Sequence, residues 1–465
     1  MLTRIEIDGF KNLKKFSADF GPYTCIYGPN AIGKSNVFDA IAFLGHTASQ
    51  PFYSAAQSLR GEHGEISDIF SNDNSQMTLS VEMILPKQFT DGYNREVKAE
   101  ATYVRYSLTL QLNETPLAGT DNKAVRSISL VSEELVELSK EHADAFIPWA
   151  MAKPEFANSA LYFPHSPRPK DPYITVADGH IRVYRAQQGY PTEIAMTDTV
   201  EHSAVSGFGD YDHPVIASVQ RELASWMMLA LEPSAMRSPS PGTGPKRINE
   251  HGGNLPATIY RLIQGSEGDA VLEDIVDDTR GLVDVREINV DFDESRQIYT
   301  LSAKVGEAPM LPARSLSDGT LRFLTLSTLV SDATSSSLIC FEEPENGIYP
   351  ERITAMYDLL HALGCDTSEA ISDENPLRQI IVNTHSPAYV YSHRNAPDEI
   401  LVGSTSPHTH GLRLSPLYDP DSWRMKTGRG ATIPRHNLET FFEEIFPDAS
   451  FNTGFSAYSS LNREG

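Results

Sequence analysis

Near the N-terminus, Gly28-Pro29-Asn30-Ala31-Ile32-Gly33-Lys34-Ser35 has the residue types and spacing that hold phosphate. Two glycines with four residues between them, then Lys and Ser, let backbone N–H groups wrap an anion at a helix N-terminus, where the helix dipole favours negative charge. The pattern predicts main-chain contacts from Asn30, Ala31, Ile32 and Gly33 through to Asn36. Lys34 is expected on the β- and γ-phosphates of a nucleotide, and the Ser35 hydroxyl on Mg2+. A second group is Leu338-Ile339-Cys340-Phe341 followed by Glu342 and Glu343. It reads as a buried strand delivering two carboxylates to the C-terminal edge of a sheet. Glu342 is expected to hold Mg2+ and Glu343 to orient or deprotonate an attacking water.

Two weaker groups obey the same logic. Ser317-Asp318-Gly319-Thr320 opens a helix about 20 residues before the acids and puts the Ser317 and Gly319 amides at a second anion-attracting helix end. Taken alone it is common capping and turn chemistry. His385 comes after an apolar run at 379–382 and an Asn-Thr step, which places it at the same sheet edge. A lone histidine is more often structural; its position in this order argues for function.

Elements must carry these groups to one place. Ile5 and Ile7 alternate with charged neighbours as a half-buried strand requires, and Tyr23–Tyr27 is a short, mostly apolar run ending at Gly28. Val37, Ile41 and Leu44 predict a helix that Gly45 ends. Strands are predicted at 77–85 and about 101–112. From 113 to 245 the pattern is irregular, with loop-forming clusters at 163–172 and 238–245 and a helix over 213–231. Helices are then predicted at 256–263, 269–279, 320–330 and from Pro350 to Gly364, with strands at 284–292, 299–305, 338–341 and 379–382. Such alternation implies an α/β sheet flanked by helices. The expected division is 1–112, an N-terminal lobe; 113–245, an insertion; 246–405, a C-terminal lobe; and 406–465, a tail.

In this order the four groups resemble those of ABC-type ATPases of the chromosome-maintenance and recombination-protein-F group, most of all the ATPase module of the overcoming-lysogenization-defect nucleases. Residues 5–12 with Gly9-Phe10-Lys11, the Gly253-Asn254-Leu255 step, the signature at 316–322 and Glu343-Pro344-Glu345-Asn346 carry the resemblance, which covers 1 to about 112 and 245 to about 405. It implies an α/β, ABC-type P-loop fold with a mixed central sheet flanked by helices and an inserted α+β subdomain. It implies ATP and Mg2+ as ligands, and a homodimer with composite ATP sites that could assemble further. Ser317 and Gly319 would contact the γ-phosphate of ATP held by the opposite subunit, Asn346 would line the dimer seam, and His385 would sense the γ-phosphate. The signature reads Ser-Asp-Gly-Thr in place of Ser-Gly-Gly-Gln, Glu342 stands where Asp is usual, and Gly347-Ile348-Tyr349 stands where a Leu-His pair is common. Gln76 is the candidate Q-loop residue. The Toprim domain of those nucleases is not expected, since about 80 residues follow His385 and the Asp419/Asp421 pair reads as loop.

The 465 residues carry a formal net charge of -24, with hydrophobic and charged contents (40% and 22%) ordinary for a soluble globular protein. The acidic excess disfavours a DNA-coating surface and leaves room for a local basic groove. No apolar run approaches the ~18 residues that span a bilayer, so no membrane partner is expected and the reading is cytoplasmic. Cys25, Cys340 and Cys365 lack metal or pairing spacing, and His408/His410 and Asp210/Asp212/His213 read as loop residues. The expected function is ATP binding and hydrolysis that close a dimer and regulate a separate effector, a nuclease or toxin in antiviral defence. The alternatives are a DNA-repair clamp on DNA ends, a non-hydrolysing ATP-dependent scaffold, and a self-contained nuclease.

Overall fold

The computed structural model describes residues 1–59, 66–71, 75–91, 93–117, 124–164, 172–185, 191–196, 200–265, 268–280, 283–417 and 421–428. Asp419, most of the 406–465 tail and residues 165–171 of the first loop cluster lie outside them.

A six-stranded sheet runs in the order Met227–Leu229, Leu338–Glu342, Gln379–Thr384, Tyr23–Tyr27, Ile400–Thr405, Leu412–Pro416. The first five strands are parallel and the last is antiparallel, so the sheet is mixed. Tyr23–Tyr27 is buried at every position, as a parallel strand covered on both faces must be. Side-chain alternation divides these strands between two cores: Ile26, Leu338, Cys340 and Ile381 enter one, and Cys25, Tyr27, Ile339, Phe341 and Val382 enter the other.

The first core joins this sheet to an eight-stranded antiparallel sheet through the helices Lys34–Thr47 and Pro214–Ala224. That sheet runs Thr192–Ala195, His180–Val183, Ile174–Ala177, Ala124–Glu137, Tyr103–Pro116, Gln76–Ile84, Leu2–Asp8, Phe16–Asp19. The second core lies under the helices Leu255–Ile263, Gly268–Arg280, Asp318–Ser331 and Ile353–Leu363. No helix among the described residues is long and apolar enough to cross a membrane.

Three sequence expectations differ from the structure. Gly45 does not end its helix, which continues to Thr47. A Cβ at Gly45 would stand 3.0 Å from the Leu223 carbonyl oxygen, so this glycine serves close packing of two elements. The helix expected over 213–231 stops at Ala224; Ser225 closes it by bonding back to Arg221 and Glu222, and Met227–Leu229 becomes the edge strand beside Ile339–Phe341. An apolar run without a polar face fits either element until it finds a partner. The third difference is that the Tyr103–Pro116 strand runs through residue 112 and pairs with Ala124–Glu137 in a region that reads as irregular. A bulge between Thr109 and Leu110 shifts the register, and the buried positions on the second strand change from Ile128 and Leu130 to Glu133 and Leu135. That change of parity hides the period-2 pattern.

Candidate nucleotide site

Parallel strands share a direction, so the segments leaving their C-terminal ends collect at a single edge of the sheet. Tyr27 is in register with Thr384, and Asn383 with Glu342. The phosphate loop, the two acids and His385 therefore emerge together, with the Gln379–Thr384 strand lying between the loop strand and the acid strand.

The loop leads into the helix Lys34–Thr47 through Gly33, whose φ of 101° only glycine adopts without strain. Ala31 is also left-handed (φ 65°), and Pro29, Asn30 and Ala31 are exposed. Asn12 braces this turn. Its Nδ2 donates to the Ile32 carbonyl (2.9 Å), and its Oδ1 accepts from Asn36 Nδ2 (2.7 Å). Lys34 is 6% exposed, and its ammonium donates to the Gly28 and Pro29 carbonyls at 2.6 and 2.9 Å. It is thus turned onto its own loop instead of standing out toward a ligand. Burial lowers its pKa, against the opposite pull of Glu343, Glu345 and Glu342. A buried cation held by two carbonyls at an exposed loop fits an incoming phosphate, which would replace weak acceptors by charged oxygens.

Across the edge, Glu343 has φ 46° and makes three bonds that fix its direction. Its N–H donates to Asn383 O (2.8 Å), its Oε2 accepts from Asn346 Nδ2 (2.6 Å), and its Oε1 meets His385 Nδ1 at 2.9 Å. Glu342 Oε1 accepts from Asn383 Nδ2 at 3.2 Å. Beneath them Glu345 Oε1 accepts from Thr384 Oγ1 (2.5 Å), and Thr384 Oγ1 accepts from Ser386 N (2.9 Å). Burial raises the Glu345 pKa, the Thr384 bond opposing it. Among the described residues no cluster of three or more His, Cys, Asp or Glu could hold a metal alone. Mg2+ bound beside a nucleotide needs only one or two protein ligands, the rest coming from phosphates and water, so the Ser35 hydroxyl and the Glu342 carboxylate would be enough in kind and number to hold it.

Among the described residues, no hydrogen bond or ion pair brings Ser317 or Gly319 into this cluster. Ser317 caps the helix Asp318–Ser331, accepting from Thr320 N at 3.1 Å, and Asp318 pairs with Arg237. This helix packs in the second core, whereas the phosphate-loop helix packs in the first. Ser317 is exposed, and a Cβ on Gly319 would meet nothing within 4 Å, so the helix start is open to another molecule. Arg322 of the same helix donates to the Asn346 carbonyl and links the signature to the segment after the acids. Gln76 is the exposed first residue of its strand. Sequence reasoning assigns no role to Asn12, Asn383 or Thr384; only the position of Asn12 beside the Gly9–Phe10–Lys11 step hints at one.

Fold, loop and acids together define a P-loop ATPase of the ABC type. Residues 1–148 match the family described as "AAA ATPase domain", and residues 192–390 the one described as "AAA domain, putative AbiEii toxin, Type IV TA system". The chain is 36% identical over 89 residues to the DNA replication and repair protein RecF of Lactobacillus acidophilus, covering 19% of this chain and 24% of that protein. It is 33% identical over 93 residues to the chromosome partition protein Smc of Methanocaldococcus jannaschii, 18% of this chain and 8% of that one. The matched segments thus span a quarter or less of those relatives. A solved Smc head bound to the C-terminal winged-helix domain of ScpA is 12% identical, with 91% of this chain and 99% of that chain covered and a TM-score of 0.48.

Proposed function

We propose that the chain binds and hydrolyses ATP at this edge, and that ATP closes two copies around a pair of composite sites. The observation that carries the reading is the Glu343–His385 contact at 2.9 Å, at the edge where the Lys34 loop also emerges. The amides from Asn30 to Asn36 would cradle the β-phosphate, Gly33 supplying the turn, and Lys34 would move from its carbonyls to the β- and γ-oxygens. Ser35 and Glu342 are the residues to hold Mg2+, which when bound neutralises charge on those oxygens. Glu343 takes the proton of the attacking water, and His385 fixes the carboxylate that does so. Ser317 and Gly319 would reach the γ-phosphate from the second subunit, because their helix start faces outward and packs in the other core. The divisions 1–112, 113–245, 246–405 and 406–465 are kept as working units of this reading.

Nucleotide-driven closure would act on a separate effector. We propose a nuclease or toxin in antiviral defence as that effector; the family matched at 192–390 is itself described as a putative toxin of a type IV toxin–antitoxin system. The RecF relative favours a second reading, a clamp on DNA ends; a filter-binding affinity that falls steeply with salt would select it. The test of the main reading is Glu343→Gln, which keeps shape and loses the base. Turnover should fall by about 10²–10⁴-fold while ATP binding persists and a closed dimer accumulates in sedimentation. Hydrolysis at the wild-type rate would overturn the assignment.

A further inference from the structure

Outside the nucleotide edge, the strands Phe16–Asp19 and Leu412–Pro416 end the two sheets, and a cleft of about 220 Å³ opens between them. Arg4, Lys14, Lys15, Arg413 and Arg424 line it, in a chain whose net charge is -24. Among the described residues, its lining includes none from the phosphate loop, the acid pair or the signature. The lining's one carboxylate among the described residues, Asp19, is engaged by Arg4 Nη1 at 2.8 Å. The hydroxyls of Ser17 and Thr409 add neutral partners for an oxyanion. This mixture of guanidinium, ammonium and hydroxyl suits a tetrahedral phosphate, and the volume is below that of a pocket for a whole drug-sized ligand.

Arg424 supplies the independent observation. It is 3% exposed, donates through Nε to the Asp398 carbonyl (2.6 Å) and through Nη1 to the Asp19 carbonyl, and stacks on Trp423 with Cζ 4.3 Å from the ring centroid. Its Nη2 is buried with no hydrogen-bond partner among the described residues. Such a group is costly to leave unmade, and a fork anchored by two carbonyls presents its remaining hydrogens in a fixed direction. Burial lowers its pKa to about 10, against the pull of Asp19, Asp398 and Glu399, which leaves it charged at neutral pH. One group could compete: Asp398 Oδ1 is also buried without a partner among the described residues, though Asp398 lines a different cavity.

We propose that this cleft is a second anion site, separate from the ATP site, which takes a phosphate monoester. Arg424 is its fixed fork, and Lys15 and Arg413 are the exposed and half-exposed cations at its mouth. Two sources share that chemistry, a free phosphate compound and the 5′-phosphate of a nucleic-acid strand. The experiment is calorimetric titration of the full chain carrying Lys34→Ala, so that the nucleotide loop is disabled. The probes are inorganic phosphate, ribose 5-phosphate, and one short deoxyoligonucleotide with a 5′-phosphate or a 5′-hydroxyl.

The proposal expects saturable binding of a phosphate probe, weakened at least 10-fold by Lys15→Glu with Arg413→Glu, two changes that leave the buried interior alone. Arg424→Lys keeps the charge, loses the fork and should weaken the same probe; if it unfolds, the surface pair still decides. A 5′-phosphorylated strand binding at least 10-fold tighter than both its 5′-hydroxyl twin and inorganic phosphate assigns the site to strand ends. Equal affinities for inorganic phosphate and the phosphorylated strand assign it to free phosphate compounds. No binding of any phosphate probe, equal affinity for the two oligonucleotides without phosphate binding, or affinity unmoved by the surface pair overturns it.

Discussion

Lys34 is the residue on which the proposed nucleotide binding rests most, and its geometry makes that role testable. The ammonium already sits buried on two loop carbonyls, so it has lost most of its hydration before any ligand arrives. Bonds from the ammonium to phosphate oxygens are worth about 1.5–3 kcal/mol each, and the net gain is their excess over the two carbonyl bonds given up. Lys34→Ala should therefore weaken ATP by about 10–100-fold in calorimetry while the fold persists. A second residue-scale prediction concerns Glu133. It is fully buried, and burial raises its pKa to about 7, with the amides of Ala204 and Val205 and the Tyr106 hydroxyl opposing the rise. Its folded pKa lies above the unfolded value near 4.5, so between those values the folded state holds the extra proton. Stability from this group is full below about pH 4.5 and is lost as pH rises to about 7 and beyond, by roughly 3 kcal/mol at most. Urea unfolding at pH 5 and pH 8 should show a pH-dependent difference between wild type and Glu133→Gln; parallel pH profiles for the two would refute it.

At the scale of elements, the phosphate loop is held in shape by a strand turn remote in sequence. Asn12 grips the loop at Ile32 and the first helical turn at Asn36, and its carbonyl accepts from Leu412 N at 3.3 Å. Each side-chain bond is worth about 0.5–1.5 kcal/mol net, so Asn12→Ala should raise the ATP dissociation constant by about 3–30-fold. The melting temperature without nucleotide should move little, because Asn12 is only partly buried. An unchanged dissociation constant would show that the loop keeps its shape unaided. The acid strand is organised in the same way: Glu343 is aimed by Asn383, Asn346 and His385, which come from a neighbouring strand and two turns.

At the scale of the whole molecule, the proposed composite site is split between two cores. The phosphate-loop helix packs in one and the signature helix in the other, with the signature start exposed. Ser317→Arg should leave ATP binding by a single subunit nearly intact and abolish ATP-dependent dimerisation and turnover, since the long cation fills the space a facing phosphate needs. Mixing it with Lys34→Ala protein is the sharper measurement. Each mixed dimer then carries both lesions in one site and none in the other, so activity should return to a fraction of wild type. Mixed dimers that form and stay inactive would argue against contribution in trans.

The chemistry-bearing groups were legible because they are local. A phosphate loop needs its glycines, lysine and serine within eight residues, and an acid strand needs only an apolar run and two carboxylates, so spacing alone exposes both. The sequence also determined most elements of the six-stranded sheet, since parallel strands buried on both faces are written as continuous apolar runs. Tertiary structure alone decided which strands are neighbours, and with that the meeting of Glu343 and His385 and the placing of Asn12 against the loop. It also decided that Met227–Leu229 is a strand and that residues 103–137 form one long hairpin through a bulge. These depend on partners far away in the chain or on a register shift that inverts the inward face. No local pattern can encode either, because the energy that selects them comes from burial against a surface that exists only once the chain has folded.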